Sequence, residues 1–185
     1  MDNGASSYRR FRESGDDSGL VEIIKDYRDG LTFYLNSIVG DIHTAEELAE
    51  DTFVLLGTKK PRDKGKSSFK TWLYTIGRNI ALNYLKKNSR KQEISIDDCV
   101  QIKADDDTER QYIREERKII LHRCMQNLNP KYRQILWLVY FEEFSLKDAA
   151  SLLKTSTHNA ETLVYRARKC LKKELETEDF SFEEL

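Results

Sequence analysis

The sequence contains few of the residues that interrupt helices: among 185 residues there are eight glycines and two prolines. Because glycine and proline mark most turns and breaks, their scarcity favours helices with short connections. No apolar run approaches the roughly 18 residues that a membrane-spanning helix needs, and no signal-peptide pattern opens the chain. The sequence therefore predicts a helical protein that is not inserted in a membrane and stays in the cytoplasm.

Features of enzymes and metal proteins are also scarce. The three cysteines, Cys99, Cys124 and Cys170, lie far apart and form no CxxC pair, so reduced thiols are expected rather than disulfides. His122 lies close to Cys124, but no further pair of ligands is nearby. There is no glycine-rich phosphate loop and no nucleophile motif. The sequence thus predicts no catalytic residue, no metal site and no cofactor.

Charge is abundant, at 34% of the residues, and it is segregated along the chain although the net charge is only -1. Residues 59–91 hold eleven lysines and arginines and one acid, a local balance of +10. Residues 41–56 hold five acids and no lysine or arginine, and residues 93–109 hold seven acids and one lysine. The pattern indicates a basic face for nucleic acid and an acidic face for a protein, unless the basic stretch is only a solvated surface.

Apolar periodicity divides the first half into a tail and helices. Residues 1–19 are polar, show no periodicity and are expected to form a disordered N-terminal tail. Apolar residues then recur at helical spacing as far as Ile38, and Gly40 ends this helix. Thr44 and Glu47 have the spacing of a capping box for a second, acidic helix.

A third helix is predicted over "SSFKTWLYTIGRNIALNYLKK", residues 67–87, after a basic loop. Trp72, Ile76 and Ile80 share an apolar stripe, so Trp72 either packs in the core or stacks on a base. Tyr74 lies off this stripe and is expected to be exposed. The combination of rings and cations is the one that holds single-stranded nucleic acid.

The second half begins after an acidic linker, residues 93–110, and forms a second small helical domain. Ser145 caps a short helix, "KTS" turns the chain, and Ser156 or Thr157 caps a longer basic helix. This order is the outline of a helix-turn-helix, although Lys154 stands where the turn commonly carries glycine. The fold class is therefore all-α, with two small domains joined by a flexible acidic linker.

Three blocks in this order resemble a bacterial RNA polymerase sigma factor of the small extracytoplasmic function type. They are "AEELAEDTFVLL", "SFKTWLYTIGRNIALNYLKK" and "LNPKYRQILWLVYFEEFSLKDAASLLKTS" followed by "ETLVYRARKCL". The resemblance implies sigma domain 2 over residues 20–92, the linker 93–110, sigma domain 4 over residues 111–176 and an acidic tail 177–185. It also implies core polymerase, promoter DNA and an anti-sigma factor as partners.

Domain 2 of such a factor binds the clamp helices of polymerase and opens the -10 element, and the loop before its basic helix holds a flipped base. The expected contacts to the -10 strand are Lys66, Ser67, Ser68, Phe69, Trp72, Tyr74, Arg78, Asn79, Asn83, Lys86, Lys87 and Arg90. The expected contacts to polymerase are Asp41, Glu46, Glu47, Glu50, Asp51 and Phe53. Without the resemblance, these acids would equally be a solvated helix front stabilised by the helix dipole.

Domain 4 of such a factor recognises the -35 element as duplex and grips the polymerase flap. The expected contacts to duplex are Thr157, His158, Asn159, Glu161, Thr162, Tyr165, Arg166, Arg168, Lys169 and Lys172. Glu161 stands where relatives often carry a basic residue. It either accepts a hydrogen bond from a cytosine amino group or pairs with Tyr165 or Arg168 and contacts no base. The alternative function for the whole chain is a helix-turn-helix regulator that does not bind polymerase.

Overall fold

The computed structural model describes residues 3–89 and 109–178, with side chains from residue 118 onward in the second range. These ranges contain eight α-helices, one π-helical turn and no strand, so the predicted all-α class is confirmed. The helices of the first range are α1 (Asn3–Ser14), α2 (Asp17–Val39), α3 (Ile42–Lys59) and α4 (Phe69–Ser89). Those of the second are α5 (Glu109–Asn127), α6 (Pro130–Leu136), which continues as the π-helical turn Trp137–Phe141, α7 (Leu146–Leu152) and α8 (Thr157–Thr177).

The helix ends mostly follow the predicted signals. Gly40 ends α2 in the left-handed conformation with φ of 80°, as its lack of a Cβ allows. Ser145 caps α7 and Ser156 caps α8, each accepting a hydrogen bond from the backbone three residues on. The predicted Thr44 capping box is wrong, because α3 begins earlier and Asp41 caps it by accepting from the Thr44 amide at 2.7 Å.

The prediction of a disordered tail over residues 1–19 is wrong from residue 3 onward, since α1 and the start of α2 occupy this stretch. Tyr8 and Phe11 on α1 are each 3% exposed, and the Tyr8 ring lies 5.1 Å from Trp72. Burial of each such ring stabilises the helix by about 1.5–3 kcal/mol. Gly19 lets α1 and α2 approach, because a Cβ there would lie 2.3 Å from the carbonyl oxygen of Ser7.

The core of the first half lies between α2, α3 and α4. Its largest fully buried aliphatic side chains come from all three helices, and they are Ile23, Leu31, Leu35, Leu56 and Leu73. This core fixes which sides of α3 and α4 face outward. The acidic front of α3 and the C-terminal polar side of α4 are left on the surface.

In the second half, α7 and α8 form the predicted helix-turn-helix. Ala149 and Ala160 are fully buried where the two helices meet, and their small side chains allow close packing. Lys154 in the turn has φ of 56°, the left-handed conformation that glycine usually supplies. The motif therefore forms without the common glycine, with lysine in the turn at some backbone strain.

The two halves contact each other through α2 and α4 on one side and α6, the π-helical turn and the segment before α7 on the other. Arg133 donates from Nε to the Ser37 carbonyl at 3.0 Å. The Glu142 carboxylate accepts from the Tyr74 hydroxyl at 2.6 Å and lies 2.9 Å from Lys70 Nζ. Gly30 makes this approach feasible, because a Cβ there would lie 2.6 Å from the same carboxylate. The linker predicted over residues 93–110 lies almost entirely outside the described residues.

Candidate nucleic-acid interface

Helix α8 presents its polar side to solvent along its whole length. Ala160 and Ala167 are fully buried and Leu175 is 6% exposed, so these three positions hold the helix against the rest of the domain. Thr157, His158 and Asn159 are exposed in the first turn, just after the Ser156 cap. The N-terminal residues of the second helix of a helix-turn-helix are the ones that contact base edges in the major groove.

The cations of α8 lie farther along the same helix. Arg166, Arg168, Lys169 and Lys172 are all exposed, and the Glu176 carboxylate lies 3.8 Å from Lys172 Nζ. Exposed guanidinium and ammonium groups in this arrangement attract phosphates and position a duplex without selecting its sequence. Tyr165 is 70% exposed between them, which is unusual for a ring of this size.

Glu161 is exposed near the start of α8, and Thr162 is half-buried beside it. The Glu161 carboxylate lies 3.9 Å from Nδ1 of His158, one turn earlier. The pairing partner is therefore His158, and not Tyr165 or Arg168 as the sequence suggested. A single exposed pair of this kind is weak and leaves the carboxylate available to a base.

Helix α4 places its predicted contacts in two very different environments. Lys66, Ser67 and Ser68 are exposed in the loop before the helix. Toward its C-terminus the exposed residues that could meet a strand are Asn79, Asn83, Lys86 and Lys87. Arg78 is half-buried beside Tyr34, and Arg90 lies outside the described residues.

The aromatic residues of α4 are mostly core residues. Tyr74 is 1% exposed, so the prediction that it is exposed is wrong. Its ring stacks on Tyr34 at 5.5 Å, and burial together with the charge of Glu142 raises the pKa of its hydroxyl. Tyr74 faces α2 and the second half of the chain, and the periodicity of α4 alone carries no information about that contact.

Phe69 and Trp72 belong to the same aromatic cluster. Phe69 is 1% exposed, whereas Trp72 is half-buried with its ring 5.5 Å from Phe69. In this structure, the contacts of Trp72 agree with the first of the two alternatives, in which Trp72 packs mainly in the core. Trp72 keeps part of its surface exposed, so it can touch a base without repacking the core.

The acidic front of α3 is a separate surface. Glu46, Glu47, Glu50 and Asp51 are exposed, and His43 lies 3.6 Å from Glu46. Asp41 is committed to the helix cap, where hydrogen bonding from Thr44 lowers its pKa. Phe53 is 6% exposed and packs in the core, so it supports this surface from below. The four exposed carboxylates are suited to a basic partner.

Sequence patterns alone do not identify Lys70, Glu142 and Arg133 as the residues that join the two halves. Arg133 is 9% exposed and Glu142 has a side chain 11% exposed, which is unusual for charged residues. The sequence does contain one signal: "WLVYF", residues 137–141, is apolar on every side of a helical turn. Such a segment meets more than one neighbour, and Trp137 does lie 5.6 Å from Phe33 of the first half.

Neither a metal centre nor a membrane helix is found in the described ranges. No group of three or more histidines, cysteines or acids there could hold a metal ion. No helix within them is long and apolar enough to cross a membrane. Burial lowers the pKa of the His122 imidazole and raises the pKa of the Cys124 thiol.

Two family models match the chain. Sigma-70 region 2 matches residues 23–91, and sigma-70 region 4 matches residues 118–171. RNA polymerase sigma factor YlaC of Bacillus subtilis is 29% identical over 158 residues, which cover 84% of this chain and 91% of that protein. The ECF RNA polymerase sigma factor SigM of the same organism is 29% identical over 153 residues, covering 83% of this chain and 93% of that protein.

Two solved structures share the fold. The sigma factor RpoE of Bartonella quintana, in complex with the anti-sigma factor NepR, matches with a TM-score of 0.68 at 21% identity, covering 84% of this chain and 95% of that one. CnrH in complex with the cytosolic domain of CnrY matches with a TM-score of 0.64 at 18% identity, covering 95% of this chain and 96% of that one.

Proposed function

The chain belongs to the sigma-70 family of RNA polymerase sigma factors, in its extracytoplasmic function group, and on this premise we propose that it is a transcription initiation factor. It binds core RNA polymerase, directs it to specific promoters and helps to open the -10 region. Because its partners are polymerase and chromosomal DNA, it acts in the cytoplasm. An anti-sigma factor is the expected regulator, and the protein itself has no catalytic role.

Recognition of the -35 element is assigned to α8. The observation that carries this is the uninterrupted exposed polar side of the second helix of a helix-turn-helix. Thr157, His158 and Asn159 at its N-terminus are the base-edge contacts, and the later cations hold phosphates. A good bidentate contact between a side chain and a base contributes about 1–3 kcal/mol of discrimination.

Opening of the -10 element is assigned to the exposed parts of α4 and its preceding loop. The loop residues 66–68 provide hydroxyls and a cation, while Asn79 and Asn83 provide amides that can pair with a base edge. Lys86 and Lys87 attract the backbone of the separated strand. Trp72 supplies the stacking surface, which in single-strand binding contributes about 1–3 kcal/mol per base.

Binding of polymerase is assigned to the acidic front of α3, with the clamp helices as the basic partner. Domain 4 binds the polymerase flap, which belongs to a different large subunit from the clamp helices. Contact with polymerase also has to separate the two halves of the chain. The -10 and -35 elements lie roughly 25 base pairs apart, or about 85 Å along duplex DNA. Two halves joined through Glu142, Lys70 and Tyr74 are too close to occupy both elements.

A pull-down with core polymerase tests the proposal against the alternative of a regulator that binds DNA alone. The wild-type chain should be retained by core polymerase. Glu50→Lys should weaken retention about tenfold, because it places a like charge opposite a basic partner. Asp26→Lys makes the same charge change on the exposed side of α2 and should leave retention unchanged. A chain that binds promoter duplex but is never retained would be the DNA-binding regulator instead.

A further inference from the structure

An apolar groove of about 570 Å³ opens on the second half of the chain between α5, the end of α6 and α8. Its floor is formed by side chains such as Met125, Leu171 and Leu175. Tyr140, 52% exposed, and Tyr165 stand at its edge. A groove of this volume, lined mainly by apolar and aromatic side chains with a few charged groups, is typical of a binding site.

One side of the groove is basic. Arg168, Lys169 and Lys172 of α8 line it together with the apolar residues. All three are exposed, so the groove has an apolar floor and a cationic wall. A matching occupant must therefore carry large apolar side chains and acids within a short stretch.

Residues 179–185, "DFSFEEL", follow α8 directly and have this composition. We propose that this acidic, aromatic tail is the occupant of the groove in the free protein. Phe180 and Phe182 are separated by one residue, so in an extended segment both rings point to the same side. Asp179, Glu183 and Glu184 supply three carboxylates opposite the three cations, and the segment contains no base.

The tail is long enough to reach along the groove. Helix α8 ends at Thr177, and Leu175 already lines the groove. Seven extended residues span about 23 Å, whereas the helix from Leu175 back to Arg168 is only about 10 Å long. Glu178 is held against α5 by Arg123 at 3.2 Å, so the tail leaves α8 next to the helix that forms the opposite wall.

Docking of the tail has a consequence that rests on the proposed function. Arg168, Lys169 and Lys172 are also the proposed phosphate contacts of the -35 element. Carboxylates bound to these cations compete with DNA phosphates for the same charges. The tail therefore lowers the affinity of the free protein for duplex until polymerase or another ligand displaces it.

The docking itself can be tested without DNA or polymerase. Ser181, the neutral spacer between the two rings, is replaced by cysteine and carries a nitroxide in a full-length chain whose Cys99, Cys124 and Cys170 are alanine. Methyl NMR signals of Leu136 and Leu171 should be broadened at least threefold more than in the same chain with Phe180→Ser and Phe182→Ser. Leu175 lies beside the root of the tail and is an internal reference, while Val54 on α3 should stay sharp. Equal broadening with and without the two rings would overturn the proposal.

A groove variant checks the other side of the contact. Tyr140→Ser should release the nitroxide-labelled tail as the Phe180 and Phe182 changes do. Val21→Ser changes another exposed apolar residue, on α2 and away from the groove, and should have no effect. If Tyr140→Ser leaves the broadening unchanged, the tail lies elsewhere and the groove is open to a partner helix.

Duplex binding then separates this inference from the proposed function. Deletion of residues 179–185 should tighten binding of the free protein to its -35 duplex by three- to tenfold, and Asp179→Asn with Glu183→Gln and Glu184→Gln should give part of that gain. If the nitroxide experiment shows docking but deletion changes no duplex affinity, the role of the α8 cations in DNA binding fails and the docking stands. If the nitroxide experiment shows none, the docking fails whatever the DNA result.

Discussion

Helices α4 and α8 are both 21 residues long and both carry cations, yet they are used in different ways. Six residues of α4 are buried, among them Phe69, Leu73 and Tyr74, whereas α8 buries Ala160, Ala167 and Leu175. Helix α4 is thus packed into the core of its half of the chain and contacts the other half as well. Helix α8 packs on its half of the chain through its apolar side, and its polar side is open to a ligand.

The sequence of a basic helix with aromatic residues therefore does not show which of its residues contact a ligand. In α4 the rings are largely occupied by the core, and the residues available to a DNA strand are Trp72 in part, the asparagines and the terminal lysines. In α8 nearly every polar residue is available. Variants should therefore separate stability from binding cleanly in α8 and poorly in α4.

The largest difference between the two helices is expected in stability, when Leu73→Ala in α4 is compared with Tyr165→Ala in α8. Leu73 is fully buried, so its truncation should lower the free energy of unfolding by about 2–5 kcal/mol. Tyr165 is 70% exposed, and its truncation should change stability by less than about 0.5 kcal/mol while weakening duplex binding. Urea denaturation of both variants measures the difference, and comparable losses of stability would contradict it.

The contact of α4 with the second half can be broken at Glu142. Glu142→Gln removes the charge that pairs with Lys70, and hydrogen bonds to charged groups contribute about 1.5–3 kcal/mol. The two halves should separate, and small-angle X-ray scattering should show a larger radius of gyration. Glu143→Gln makes the same change at the exposed neighbour and should leave the radius unaltered. An unchanged radius in both variants would mean that this ion pair does not hold the halves together.

Within α8, base contacts and phosphate contacts should respond differently. Asn159→Ala should cost about 1–3 kcal/mol of binding to the preferred -35 duplex and little on other sequences. Arg168→Ala should weaken binding to every duplex and reduce the slope of log affinity against log salt by about 0.9. Titrations at several salt concentrations, on matched and scrambled duplexes, distinguish the two. If Asn159→Ala weakens binding to matched and scrambled duplexes equally, Asn159 does not contact a base.

The smallest effect is expected in base preference, from a change at Glu161. If its carboxylate accepts from cytosine, Glu161→Ala should shift preference at one base pair by about 1 kcal/mol. His158→Ala removes the neighbour at 3.9 Å, and because His158 is itself a proposed base contact it should shift preference at a different base pair. Binding to a library of -35 variants measures the preference. The same ranking at every position after Glu161→Ala would show that this residue contacts no base.

The sequence predicted most of the helices because their apolar residues repeat at helical spacing and their ends carry clear caps, as Gly40, Ser145 and Ser156 illustrate. It missed α1, whose apolar signal is little more than Tyr8 and Phe11 in a polar stretch. Tyr8 packs against Phe69 and Trp72 of α4, and Lys60 lies over the ring of Phe11. These partners are far away in sequence, so local periodicity could not reveal the burial of the two rings.

The candidate site was predicted unevenly for the same reason. On α8 the polar residues predicted from the sequence are exposed or half-buried, because that helix packs on its own half through its apolar residues and leaves the polar side free. On α4 the exposure of Tyr74 was predicted wrongly, since its partner Glu142 belongs to the other half of the chain. Which of these residues touch DNA stays a prediction.

The most direct test of the account is transcription by core polymerase reconstituted with this chain on genomic DNA, with start sites mapped and unpaired thymines detected by permanganate. Transcripts are expected to begin at discrete sites only when the chain is present, each with reactive thymines in the -10 region. Core polymerase that starts at no additional site and opens no DNA in the presence of the chain would contradict it.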